Sequence, residues 1–401
     1  MHSSLSNPLP NTPAQAVLTH LTWEENGHHC EEEWRSERGA PVPKRVVLAD
    51  DTLSADSAYR LACAGTGMLW RGDFQNARLL LQALARRCDA PKKVRRASKT
   101  NPELTPTAQE NFHLHRQAQS QRARTLGMIL IQINPDRQIS LRRAPDWRAA
   151  MKEAWGPAGT TGCVTSLREL LGLVGAHEWH EKGIEISALG DAPRNRIHPS
   201  YGVFSPVRSE YIQLVLDAPL PSSELAFDIG VGTGVLSAIL AKRGVKRVIG
   251  TDLDPRALAC AKENIHRLGL SSKVEVVQAD LFPQGQAPLI VCNPPWLPAR
   301  ASAPIERAVY DENSAMLKGF LAGLAEHLTP QGEGWLILSD LAEHLGLRSR
   351  AELEAWMASA GLKVLSKIDT KAEHKKVQDE SDPLHAARAA EVTSLWRLGL
   401  V

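Results

Sequence analysis

The stretch Phe227–Gly244, FDIGVGTGVLSAILAKRG, decides how the rest of this 401-residue chain is read. An apolar run ends in Asp228, glycines follow at 230, 232 and 234, and a helix-forming run begins at Val235. Glycines between a strand and a helix remove side chains, so a ligand can lie against the backbone and the helix can start tightly. A dinucleotide loop would read G-x-G-x-x-G, and a phosphate-binding P-loop would close in G-K-[ST]. This loop fits neither, and no lysine or arginine follows until Lys242. The expected ligand therefore presents no phosphate to it.

Working outward from the loop, short runs rich in Val, Ile and Leu (LAFDI, KRVIGTD, KVEVVQAD, PLIVCN, GWLILS) alternate with runs of helical period. Two further strand-like runs, LKVLSKID and EVTSLWRLGL, flank a charged linker. Near-continuous apolar strands joined by helices predict a sheet covered on both faces. The fold class is therefore α/β, with a seven-stranded, doubly wound, mostly parallel sheet in residues 196–401. Such sheets bind ligands at the carboxyl ends of their strands. There the sequence carries Asp228 with Gly230, Gly232 and Gly234; then Asp252, 24 residues after Asp228; then Asp280 with Leu281 and Phe282; and finally Asn293-Pro294-Pro295-Trp296. Asp252 is placed to take both hydroxyls of a ribose, and Asp280 to accept from an adenine amine with Leu281 or Phe282 against the ring.

This constellation resembles the class I S-adenosylmethionine-dependent methyltransferases. Their cofactor has a ribose, an adenine and an amino-acid tail but no phosphate, in keeping with the loop. In that resemblance Asn-Pro-Pro-aromatic implies methylation of a nitrogen attached to a planar, conjugated group. The Asn293 side-chain oxygen and the Pro294 carbonyl would accept from the target NH2, and Trp296 would stack on its plane. Tyr201–Ser339 is most similar to the HemK-type protein-glutamine methyltransferases and the small-domain methyltransferases of ribosomal RNA. YGVFSPVRSEY, from Tyr201, resembles the segment that covers the cofactor in those enzymes, with Arg208 and Glu210 where they commonly have Arg and Glu. They usually carry Tyr where this chain has Trp296. The resemblance implies S-adenosyl-L-methionine as cofactor and a macromolecular substrate, a glutamine in a translation-related protein first. An RNA adenine N6 or guanine N2 is the alternative, DNA less so, with a small molecule or a non-catalytic assembly role behind them.

The other half is read from composition. The chain is 43% hydrophobic and 23% charged, with a net charge of +2, the profile of a globular protein long enough for two domains. Its start shows no secretory pattern and no apolar run is long enough for a membrane helix, so a cytoplasmic location is expected. Six scattered cysteines form no C-x-x-C pair, which argues for a reduced, metal-free protein. GHHCEEEW, from Gly27, reads as a solvated loop or helix face. Residues 1–40 are polar with little periodicity and are expected to be a flexible terminus. Residues 41–195 are expected to form a basic substrate-recognition domain. Between Arg86 and Arg148 there are 14 Lys/Arg and 5 Asp/Glu, the sort of footprint that nucleic-acid binders show. Within this half KRVVLADD reads as a strand, DFQNARLLLQALARRC as a helix capped by Asp73, and AGTGMLW as a turn. GMILIQI and RQISL read as a strand pair around Asn134-Pro135-Asp136.

Overall fold

The computed structural model describes residues 19–90, 106–207, 210–301, 304–371 and 378–401. The N-terminal half contains strands β1 (His20–Glu25), β2 (His28–Trp34), β3 (Arg45–Ala49), β4 (Thr66–Trp70), β5 (Ile129–Ile133) and β6 (Cys163–Ser166). They form one sheet in the order β1-β2-β6-β5-β4-β3. Helices α1 (Ala55–Cys63), α2 (Phe74–Asp89), α3 (Ala108–Leu126), α4 (Arg148–Trp155) and α5 (Leu167–Lys182) accompany it. Asp73 caps α2 as expected, accepting from the Gln75 amide at 2.9 Å. Met68, Trp70, Ile129, Ile131 and Ile133 face one core with α1, α2 and α5. Leu69 and Leu130 face the other side with Leu21, Trp23 and Trp34.

Four local expectations give way here. The GHHCEEEW stretch is strand β2, paired antiparallel to β1 with Cys30 opposite Trp23. Alternate burial of Leu21 and Trp23 on β1, with Trp34 on β2, holds this hairpin on the sheet, so structure begins well before residue 40. AGTGMLW is not a turn: after Gly65 (φ +74°) it becomes β4, buried along its whole length. A Cβ at Gly67 would come within 2.6 Å of Leu130 Cδ1, so the glycine there serves strand packing. RQISL makes no strand. The turn closes through Arg137 N–H to Asn134 O at 2.9 Å, but β4 and β6 already occupy both edges of β5, leaving no edge for a returning strand.

Short strands β7 (Ile184–Glu185) and β8 (Arg196–Ile197) pair with each other. Ile184, Ile186, Leu189 and Ile197 pack into the core of the C-terminal half, ahead of the boundary expected at 195. The second sheet comprises β9 (Leu225–Ile229), β10 (Arg247–Asp252), β11 (Val274–Gln278), β12 (Ala287–Cys292), β13 (Leu328–Ser339), β14 (Leu362–Lys371) and β15 (Val392–Leu400). Its order is β11-β10-β9-β12-β13-β15-β14, parallel except that β15 runs against both neighbours. All seven strands lie on the runs read from the sequence. The helices are α6 (Glu210–Asp217), α7 (Val235–Lys242), α8 (Pro255–Arg267), α9 (Ala315–His327), α10 (Leu341–His344), α11 (Arg350–Ser359) and α12 (His385–Ala390). α6, α7 and α8 cover one face, against Leu289, Val291, Trp335 and Ile337. α9 and α11 cover the other, against Ile290, Cys292, Leu336 and Leu338. This is the doubly wound α/β sheet that the sequence predicts.

Candidate active site

Strand register builds the site. Ile229, the last residue of β9, lies opposite Thr251 of β10 on one side and Cys292 of β12 on the other. The next residues, Gly230, Asp252 and Asn293, therefore lie level with one another at the carboxyl edge. Chain crossovers reverse direction on either side of β9, which opens a crevice at this position.

The glycine loop turns by left-handed backbone at Gly230 (φ +77°), Gly232 (+52°) and Gly234 (+81°), a conformation costly for residues with a Cβ. Amides of Gly230 and Val231 donate to the Thr251 carbonyl at 2.9 and 2.7 Å, which ties the loop to β10. Asp252, half-buried, accepts from the Gly232 amide on one carboxylate oxygen (3.1 Å) and from the Asp254 amide on the other (3.0 Å). Each oxygen keeps a lone pair for a further donor. Asp254 caps α8, accepting from the Arg256 amide at 2.9 Å.

Asp228 is buried beneath the loop and accepts from the Ser237 hydroxyl at 2.6 Å. Burial pushes its carboxyl up to about 7; the Ser237 hydrogen bonds pull it back, and the charge of Asp252 adds to the rise. A carboxylate this dry is poised to be neutralised or matched by a cation.

Asp280 is exposed beyond the end of β11, open to a ligand. Leu281 turns the chain at φ +65°, accepts at its carbonyl from Thr251, and packs on α9, where a Cβ at Gly319 would come within 2.7 Å of its Cδ1. Phe282 stacks on His327 (4.3 Å between centroids) and Phe320 (5.9 Å). Its ring packs on α9. Arg208 lies outside the described residues.

Asn293 follows β12 and is half-buried, with Pro294 buried and Pro295 fixing the turn. The Trp296 indole N–H donates to Asn293 Oδ1 at 2.9 Å. Trp296 also packs against the cores on both faces of the sheet, so the ring is anchored and is not a loose stacking plate.

Sequence reasoning missed several contributors. Asn264 is fully buried, donating to the carbonyls of His198 (3.0 Å) and Thr233 (3.1 Å) and accepting from the His198 amide (2.7 Å). It straps the segment before Tyr201 to the glycine loop; a polar residue among the buried Ala261, Ile265 and Leu268 was the available signal. Leu253, 58% exposed beside Asp252, is an apolar surface at the crevice rim. Asp311 accepts from the Met316 and Leu317 amides (3.0 and 3.1 Å), fixing the start of α9. Among the described residues no group of three or more His, Cys, Asp or Glu could hold a metal, and no helix is long and apolar enough to cross a membrane.

The N-terminal half reaches this edge. Phe112 of α3 is buried with Leu297, Leu341 and Leu384. Arg116 donates to the Arg300 carbonyl at 2.6 Å and lies over the Tyr310 ring. Five arginines of the basic stretch are held in ion pairs, but only Asp56 and Asp73 come from outside the stretch, so most of its excess charge remains. Arg87 pairs with Asp56, Arg122 with Asp89, Arg148 with Asp146, and Arg142 and Arg143 share Asp73, all within 2.9 Å. Arg137 is buried. Lys92, Lys93, Arg95, Arg96 and Lys99 lie outside the described residues.

Residues 213–329 match the family described as ribosomal protein L11 methyltransferase (PrmA). A ribosomal protein L11 methyltransferase of Vibrio parahaemolyticus is 36% identical over 107 residues, 26% of this chain and 36% of that protein. A protein of Methanocaldococcus jannaschii named for N5-glutamine methylation is 31% identical over 113 residues, 28% of this chain and 55% of that protein. A tRNA1(Val) (adenine(37)-N6)-methyltransferase of Shewanella loihica is 29% identical over 200 residues, 46% of this chain and 79% of that protein. Among solved structures, a methyltransferase from Pyrococcus furiosus aligns with a TM-score of 0.36 at 18% identity, covering 57% of this chain and 98% of that one. The chain thus spans 36% and 55% of the first two of these relatives, and the family match lies within its C-terminal half.

Proposed function

We propose that this chain is an S-adenosylmethionine-dependent N-methyltransferase acting on a planar nitrogen of a macromolecule, a protein glutamine in a cytoplasmic translation component first. The observation that carries this is the register that sets Gly230, Asp252 and Asn293 level at one sheet edge. The residues present fit the cofactor. Asp252 keeps a lone pair on each oxygen for a ribose, Asp280 is open for an adenine amine, and the glycine loop leaves backbone bare. Among the described residues Glu210 Oε1 is buried without a hydrogen-bond partner, and the ammonium of an amino-acid tail would satisfy it.

Asn293 and the Pro294 carbonyl would hold the acceptor NH2 by its hydrogens, turning the nitrogen lone pair toward the methyl. When bound, the cofactor would supply an electrophilic methyl group for that nitrogen, with its sulfur as leaving group and solvent taking the displaced proton. Positioning is the main contribution asked of the protein. We divide the chain into a recognition half and a catalytic half, with the boundary near Gly183 because β7 and β8 pack into the catalytic core. A protein acceptor is put first because relatives named for methylation of ribosomal protein L11 and of protein glutamine match this chain. The RNA reading is supported by the basic stretch, by α3, polar along most of its exposed length with three arginines and lying beside the acceptor edge, and by the relative named for tRNA adenine-N6 methylation.

The test is label transfer. The protein and methyl-labelled S-adenosylmethionine are incubated with extract from cells lacking the protein, and aliquots are digested with protease or nuclease. Loss of label to protease alone supports glutamine, and loss to nuclease alone supports RNA. Asn293→Ala should abolish transfer and leave cofactor affinity nearly intact. Loss of cofactor binding in that variant would remove Asn293 from the acceptor role.

A further inference from the structure

We propose that Trp296 is a positioning residue whose indole N–H fixes the side-chain amide of Asn293 in the one orientation that can receive an acceptor amine. This rests on the methyltransferase reading above. An asparagine amide has two ends of similar size and opposite hydrogen-bonding sense: the oxygen accepts and the nitrogen donates. If Asn293 were flipped, its NH2 would face the acceptor NH2, donor against donor, and the acceptor lone pair would not be oriented.

The structure supplies a device against that flip. Trp296 Nε1 lies 2.9 Å from Asn293 Oδ1. An indole nitrogen is a donor only, so it selects the oxygen end; the flipped amide would place its own NH2 against the indole N–H. The selection is effective because the indole cannot follow a moving amide. Trp296 is wedged against the cores on both faces of the sheet, and the two prolines at 294 and 295 stiffen its connection to Asn293. Oδ1 accepts two hydrogen bonds, so one lone pair remains for the acceptor. Phenylalanine or tyrosine at 296 would keep an aromatic face but has no N–H at this point of the ring.

Stacking and positioning separate when the ring is kept and the N–H removed. Site-specific replacement of Trp296 by 3-benzothienylalanine substitutes sulfur for the N–H in a ring of nearly the same shape. The rate is read as label transferred from methyl-labelled S-adenosylmethionine to extract from cells lacking the protein, alongside cofactor affinity by calorimetry. Loss of one orienting hydrogen bond should lower turnover by about tenfold with cofactor affinity unchanged. Full turnover in this variant would overturn the proposal and leave Trp296 a packing or stacking aromatic.

A second readout needs no acceptor. With tryptophan indoles labelled by 15N, the Trp296 N–H resonance, assigned from Trp296→Phe, should exchange slowly with solvent and should move in Asn293→Ala. An unmoved resonance would refute the hydrogen bond and with it the positioning role. If the unaltered protein transfers no label to the extract, the methyl-transfer reading falls and this proposal falls with it, while the resonance still reports whether the bond exists.

Discussion

Replacing Asp228 by asparagine should change how stability depends on pH, because this carboxyl is both dry and close to another acid. Burial moves it from the ordinary 3.8 to about 7. Between those values the native state holds a proton that the unfolded chain has released. Stability attached to this group is therefore complete below about pH 4 and is lost as pH rises through about 7. At roughly 1.4 kcal/mol per unit the whole loss is at most about 4 kcal/mol, and about 2 of it falls between pH ~5.5 and pH ~8.5. Asparagine does not titrate and its oxygen can still accept from Ser237. Any fixed cost of the substitution cancels when one compares the two pH values. Urea denaturation of both proteins without ligand, near pH ~5.5 and ~8.5, is the assay. The Asp228→Asn variant should gain about 2 kcal/mol relative to the unaltered protein on going to the higher pH. Parallel dependence in the two proteins would show that Asp228 does not carry this proton and that its burial is relieved in another way.

Two further substitutions probe the loop. Asp252→Ala removes the acceptor for the Gly232 and Asp254 amides as well as the proposed ribose contact; affinity for S-adenosylmethionine, measured by calorimetry, should fall by at least about tenfold. Unchanged affinity would take Asp252 out of the site. Gly230→Ala places a Cβ at φ +77° and 2.8 Å from Met316 Cε. The methionine tip can give way, so the backbone sets the cost at about 1–2 kcal/mol, read from the urea midpoint; an unshifted midpoint would mean the loop adopts another conformation without penalty.

The catalytic half was legible because its signals are local. Each of its strands is an apolar run short enough to be recognised by itself, and Asp228, Asp252, Asp280 and Asn293 each sit at or just beyond the carboxyl end of such a run. For a parallel sheet, position along the strand is position relative to the ligand edge, so the sequence determined the face on which these residues sit. The N-terminal half resisted for the opposite reason. β4, TGMLW, is a strand because β3 and β5 flank it; its glycines look like a turn until Leu130 is known to press on Gly67. RQISL has the composition of a strand but finds both edges of β5 already occupied.

Charge divides in the same way. The sequence counted the arginines between 86 and 148, but only the folded chain brings Asp73 to Arg142 and Arg143, or Asp56 to Arg87. Ion pairing is a property of distance in space, and these partners lie 31 to 70 residues away along the chain. The orientation of Asn293 is of this kind too. Its identity and its place after β12 were set by the sequence. Which end of its amide meets the indole N–H was decided by a tryptophan three residues on, held still by cores on both faces of the sheet.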